Sequence, residues 1–179
     1  MIKSNKIVLG SAQFGLDYGI SNNSGKIKKE EVSKIVNFSN NNNIKFIDTA
    51  PIYGNAEQIL GTIGVDNFNV ISKFTYKDNC KIIEKDLLFS LKNLKINNLY
   101  AYLAHIELDL LEDGVWETLQ DLKSRGLIAK AGVSLYSLES LNKILQANIV
   151  PDIIQVPYNI IDNRFESIMK YLKKIGCEI

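Results

Sequence analysis

The sequence of 179 residues predicts an α/β fold built on a parallel sheet. Two observations predict it. Short apolar runs alternate with longer segments of helical period along the chain, and such strict alternation implies helical crossovers between parallel strands. The runs are mostly apolar throughout, as in strands buried on both faces. Two architectures satisfy this order. An open doubly wound sheet can be completed in a chain of this length, whereas a (β/α)8 barrel typically takes about 250 residues. A third observation, polar residues gathered at the ends of successive strands, favours the barrel.

The elements follow in order. The first strand is Ile7–Ala12, and a helix opens somewhere near Ser24 or Lys26. The Asn40–Asn43 run is a polar turn before the second strand, Lys45–Ala50. The third strand is Phe68–Lys73. Ile83, Leu87, Leu91 and Leu94 then recur at spacings of four, four and three, the period of one helix face. The fourth strand is Leu99–His105, and Trp116, Leu119 and Leu122 mark the next helical stripe. Gly126 stands where that helix stops, a position that tolerates positive φ. Ile128–Ser134 and Ile153–Asn159 are the fifth and sixth strands. Phe165, Ile168, Leu172 and Ile175 make another stripe, closed by Gly176, and a seventh strand begins at Cys177. The whole, residues 1–179, is expected to be one domain.

Composition narrows the function. With 21 Lys and Arg against 20 Asp and Glu, the net charge is +1, and the lysines are scattered beside acidic residues. No basic face is available for nucleic acid. No apolar run approaches the ~20 residues of a membrane span, and the N-terminal Met1–Lys6 lacks the apolar core of a signal peptide. A cytoplasmic location is expected. Cys80 and Cys177 are far apart and read as two reduced thiols. Gly10–Gly15 has the glycine spacing of a phosphate loop, but Leu16-Asp17 follows it instead of Lys and Ser or Thr. His105 is the single histidine, so no histidine metal cluster is expected.

Functional sites of parallel α/β folds form at the carboxyl ends of the strands. Asp48 ends the second strand, Tyr53 follows five residues later, Lys73 ends the third strand and His105 the fourth. Each residue alone has a bland reading as a cap, a packing ring, a snorkelling amine or a structural imidazole. Together they place a carboxylate, a phenol, an ammonium and an imidazole at one rim. A buried lysine demands a partner, which Asp48 can supply. A phenol has a pKa near ~10 and is a weak acid at neutrality, but a neighbouring ammonium favours its anion. The cluster therefore suits proton delivery to a carbonyl oxygen while a hydride arrives at carbon. No side chain donates a hydride, so a cofactor must bring it.

The residues that carry this chemistry also carry a resemblance. Asp48-Thr49-Ala50-Pro51-Ile52-Tyr53-Gly54-Asn55-Ala56-Glu57-Gln58-Ile59-Leu60-Gly61 resembles the DTAxxYGxxExxLG signature of the aldo-keto reductases. Leu9–Gly15 is similar to the family's first strand and its following loop. Gly126–Ser134 is similar to its GKIRxxGVS segment, and Gln155–Asn159 to its QxxYN. The resemblance implies a (β/α)8 barrel that reduces aldehydes and ketones with NADPH (NADP on release). It implies a catalytic tetrad of Asp48, Tyr53, Lys73 and His105. In it Tyr53 is the proton donor, Lys73 and Asp48 tune that donor, and His105 orients the carbonyl. It also implies that Gly10, Ser11, Asp48, Ser134 and Gln155 border the cofactor, with Ser134 and Gln155 on the nicotinamide carboxamide. The implied partner is a small-molecule carbonyl substrate, and the Gln13–Ile20 loop, which resembles members associated with sugar or surface-polysaccharide metabolism, puts sugar-like carbonyls among the candidates.

Two departures follow. Leu135 stands where the family usually has Asn, which removes one hydrogen bond to the carboxamide. The family's seventh and eighth units, with the ring that stacks on nicotinamide and the phosphate loops, lie beyond Ile179. The expected structure is thus an incomplete barrel of about six βα units, with the first and sixth strands as unpaired edges that invite homo-oligomerisation. A fragment, a natural truncation completed by assembly, and a product without reductase activity that serves as a binding or assembly module all agree with this.

Overall fold

The computed structural model describes residues 6–179. Residues 1–5, on which most of the leader reading rests, lie outside the described residues. The strands are β1 (Val8–Gly10), β2 (Phe46–Asp48), β3 (Asn69–Phe74), β4 (Leu99–Ala104), β5 (Ile128–Ser134) and β6 (Ile153–Gln155). The helices are α1 (Ala12–Gly15), α2 (Lys29–Asn41), α3 (Ala56–Ile63), α4 (Cys80–Leu94), α5 (Val115–Ser124), α6 (Leu138–Gln146) and α7 (Glu166–Lys174), with a 3-10 turn at Glu107–Leu111.

The strands hydrogen-bond in chain order, β1-β2-β3-β4-β5-β6. This order decides between the two architectures. A doubly wound sheet reverses direction at a switch point and so places its first strand inside the sheet. A (β/α)8 barrel adds each strand beside the last, as this chain does for six units. Register is parallel where β1 meets β2 (Leu9↔Ile47), β2 meets β3 (Ile47↔Val70) and β5 meets β6 (Val133↔Ile154).

The described residues form two compact units. The first takes 6–73 and Lys85–Tyr100. Its core joins Val32 and Val36 of α2, Ile47 of β2, Leu60 of α3, Val70 of β3, and Leu87, Leu91 and Leu94 of α4, all buried. The second unit takes Phe74–Glu84 and Ala101–Ile179. There Tyr102 and Leu103 of β4, Leu119 and Leu122 of α5, Val133 of β5, Leu141 and Ile144 of α6 and Phe165 are buried.

Several boundaries differ from the sequence expectation, each for a local reason. The first strand stops at Gly10 because Ala12 opens α1. The second stops at Asp48 because Ala50 accepts from the Tyr53 N–H in a turn. The sixth ends at Gln155, short of Asn159. Pro157 has no N–H to continue a ladder. Helix α2 begins at Lys29, later than Ser24 or Lys26, because the preceding loop bonds to itself. Asn22 Nδ2 donates to the carbonyls of Tyr18 and Gly25, and Asp17 Oδ1 accepts from the Lys26 N–H at 2.6 Å. Polar side chains that bond backbone this way compete with helix formation. In α5 the stripe is led by buried Val115, with Trp116 half-buried. Ile175 is exposed. Gly126 and Gly176 have positive φ as expected, 73° and 93°.

The strand edges are only partly as expected. Ile7 and Val8 are 41% and 46% exposed, as suits an outer strand. The sixth strand, expected to be bare, carries a partner: Ile153 bridges Glu178 in parallel, and the Ile154 N–H donates to Glu178 O at 2.9 Å. This isolated bridge falls one residue after Cys177, where a seventh strand is expected to begin. Among the described residues, no helix is long and apolar enough to cross a membrane.

Candidate active site

The first unit positions three of the four strand-end residues. Asp48 is the last residue of β2, and the Ser11 N–H donates to its carbonyl at 3.0 Å, fixing the strand end against the first crossover. Tyr53 lies in the turn between β2 and α3, held at both ends: its N–H donates to Ala50 O, and its O accepts from the Ala56 N–H. Two glycines set the height of this turn. A Cβ on Gly15 would overlap Tyr53 O, and one on Gly54, at φ 61°, would overlap Gly15 O. The backbones thus touch where only glycine permits.

Lys73, on β3, is 2% exposed and makes the central contacts. Its Nζ donates to Asp48 Oδ1 at 2.6 Å, to Thr49 O at 3.2 Å and, over a long 3.4 Å, to Tyr53 Oη. It also lies 5.2 Å from the Tyr53 ring centroid. An ammonium has three donors, and all three are used. Burial pushes the Lys73 amine below the ordinary lysine range, while the charge and hydrogen bond of Asp48 oppose that shift. Because Tyr53 Oη accepts from Lys73, the phenol proton is left to point elsewhere.

The second unit holds the other residues. His105 is half-buried just after β4, and its N–H donates to Phe74 O at 2.8 Å. Ser134 ends β5 and Gln155 ends β6, in direct register with each other. Paired positions on parallel strands place their side chains on the same face. Leu135, where the resemblance leads one to expect an asparagine, is buried and packs into the core. The loop after β5 is clamped from two sides. Glu107 accepts from the N–H groups of Tyr136 and Ser137 and from Ser140 Oγ. Arg164, paired to Asp162 through two hydrogen bonds, donates to Tyr136 O at 3.1 Å.

Gly10 is exposed with open space on its Cβ side, whereas Ser11 is fully buried with a hydroxyl that has no partner. Three participants escape a reading of side chains. Thr49 acts through its carbonyl, which no motif reveals. Glu57, 3% exposed, and Glu107 are acidic residues whose burial and partners depend on tertiary contacts. Gly15 and Gly54 were legible as glycines, but not as a pair. Among the described residues, no group of three or more His, Cys, Asp or Glu could hold a metal ion.

Comparison with known proteins agrees with this geometry. The model of the aldo/keto reductase family matches residues 6–179. Rhazimal reductase 2 of Alstonia scholaris is 28% identical over 146 residues, covering 65% of this chain and 45% of that protein. The chain therefore spans less than half the length of this relative. An aldo-keto reductase structure from Pseudomonas aeruginosa superposes with a TM-score of 0.83 at 26% identity, over 96% of this chain and 70% of that one. The fold is shared more widely: an aldo-keto reductase of Klebsiella pneumoniae, solved with NADPH, gives a TM-score of 0.72 at 19% identity, over 94% of this chain and 60% of that one. The chain belongs to the aldo/keto reductase family.

Proposed function

We propose that this chain reduces an aldehyde or ketone, with NADPH as reductant and Tyr53 as general acid. The observation that carries the reading is the Lys73 ammonium, saturated by Asp48, Thr49 O and Tyr53 Oη. Tyr53 gives its proton to the carbonyl oxygen, and the negative charge left on Oη is met by Lys73 at 3.4 Å. Asp48 keeps Lys73 charged and aimed. His105 hydrogen-bonds the carbonyl oxygen and orients it. The bound cofactor supplies the hydride.

The residues present fit a nicotinamide group. Ser134 and Gln155 stand in register at adjacent strand ends and offer a hydroxyl and an amide to a carboxamide. Gly10 leaves open space at the end of β1, and Ser11 keeps one buried hydroxyl without a protein partner. The NADPH-bound Klebsiella pneumoniae structure of the same fold supports the choice of cofactor. The substrate is a small molecule with a sugar-like carbonyl, by the resemblance of the Gln13–Ile20 loop.

The buried Leu135 favours a second reading, a non-catalytic binding or assembly module, since it withdraws one carboxamide contact. Titration with NADPH, read by Trp116 fluorescence and calorimetry, separates the two. Micromolar binding, about −8 kcal/mol, is the result expected of a reductase; a folded chain that binds nothing at millimolar NADPH is the module. Given binding, Tyr53→Phe is expected to keep the cofactor affinity and lose roughly 100-fold or more of turnover. Turnover retained in that variant refutes the general-acid role.

A further inference from the structure

One buried carboxylate has no part in the chemistry above. Glu57 lies in the first turn of α3, four residues beyond Tyr53, and is 3% exposed. Its Oε1 accepts from Ser72 Oγ at 2.8 Å, a buried hydrogen bond. Ser72 directly precedes Lys73 on β3. Successive strand residues face opposite ways, so Ser72 turns towards the helix layer while Lys73 turns towards Asp48 and Tyr53. On the helix side of the sheet, this side-chain hydrogen bond joins the segment that carries Tyr53 to the strand that carries Lys73.

We propose that Glu57 is a positioning residue: through Ser72 it locks the start of α3 to β3 and so holds Tyr53 Oη and Lys73 Nζ at their working separation. The separation has little slack. At 3.4 Å the Lys73–Tyr53 contact is already at the outer limit of a hydrogen bond, so a shift of a few tenths of an ångström loses it. The Thr49 N–H donates to Ile71 O at 2.9 Å and ties the start of this loop to β3, but through backbone alone and four residues before Tyr53. The Gly15–Gly54 approach sets its turn against α1, not against β3. On its outer side α3 meets α4, where a Cβ on Gly61 would overlap Asn93 O. Ser90 and Asn93 of α4 also face the Glu57 carboxyl and, with Ser72, oppose the rise in its pKa as hydrogen-bonding neighbours, although Ser90 Oγ and Glu57 Oε2 make no contact of full hydrogen-bond geometry. Burial raises the Glu57 pKa, so the carboxyl costs stability that an apolar side chain of similar size would not. Packing alone does not call for it.

The proposal rests on the reductase reading for its meaning, but its test does not need turnover. Tyr53 ionisation is read as the difference in ultraviolet absorbance between each protein and its Tyr53→Phe counterpart across alkaline pH. In Glu57→Ala, and in Ser72→Ala should the first fail to fold, the Tyr53 titration is expected to move upward by about one unit or more as the ammonium draws away. Glu57→Gln, which keeps an acceptor for Ser72, is expected to restore the original titration. If the chain turns over, the Ala variants lower kcat at least several-fold with NADPH affinity unchanged. A folded Glu57→Ala or Ser72→Ala protein with the original Tyr53 titration overturns the proposal, whether or not any carbonyl is reduced. A chain that reduces no carbonyl but shows the shift refutes the reductase reading and leaves the positioning role standing.

Discussion

Lys73 shows how much one buried charge asks of its neighbours. Its partner Asp48 is close enough, at 2.6 Å, that neither is tolerable alone. Asp48→Asn strands a buried ammonium and is expected to cost about 3–5 kcal/mol in urea denaturation. A gentler case is Cys177, whose thiol is pushed up to about 11, by burial first and then by Asp152 and Glu178. The folded pKa lies above the ordinary thiol value, so its contribution is complete below about pH 9 and is lost as pH rises through about 11. Comparing Cys177→Ala with the parent chain should show this loss missing from the variant, with a ceiling near ~2.7 kcal/mol. Ellman titration at pH 8 should label half-buried Cys80 well before Cys177. Asp48, Tyr53 and Lys73 were legible in the sequence as a group, because polar residues at or just beyond the ends of consecutive apolar runs converge on one end of the sheet. Glu57 was legible only as the glutamate of the signature, because only the fold reveals that it is 3% exposed and bonded to Ser72.

At the scale of elements, strand positions were read more surely than strand lengths. Apolar runs mark where a chain is buried, not where its ladder ends. Ile128–Ser134 matches because Gly126 before it and Ser137, which caps α6 through the N–H groups of Glu139 and Ser140, punctuate both sides. Ile153–Asn159 was overlong because the apolar residues continue past Gln155 while the hydrogen bonds do not. Helix α1 was missed, since four residues carry no period. Contacts between elements were invisible to periodicity. The β5–β6 approach depends on Gly132, where a Cβ would overlap Ile153 O. Gly132→Ala is expected to push the two strands apart and cost several kcal/mol, roughly the upper range for overpacking. Thermal unfolding of that variant, against Gly126→Ala as a control that meets open space but has φ 73°, measures the part due to overlap.

For the whole molecule, strand order carried the architecture. Length pointed to an open sheet, but six strands added in sequence exclude the reversal that such a sheet requires. The polar strand ends gave the better guide, because a site needs several strands to finish on one rim. Charge makes a separate prediction. With a net charge of +1 and an isoelectric point near 7.7, the chain has almost no self-repulsion at neutrality. Light scattering is expected to be greatest near that pH and to fall at pH 6, and added acidic surface residues should suppress it.

The three acceptors around Lys73 have a chemical consequence of their own. A primary amine beside an aldehyde condenses with it, and burial alone would favour the reactive, uncharged amine. Here three acceptors engage the amine as they would a fully donating ammonium, and Asp48 opposes the fall in pKa that burial causes. On the proposed reductase reading, an aldehyde held against Tyr53 would meet an acid rather than a nucleophile. Incubation with a small aldehyde and borohydride should alkylate exposed lysines such as Lys34 and leave Lys73 unmodified in a peptide map. In Asp48→Asn the cost of a buried, unpaired ammonium is relieved by loss of its proton, and the resulting free amine should become a target.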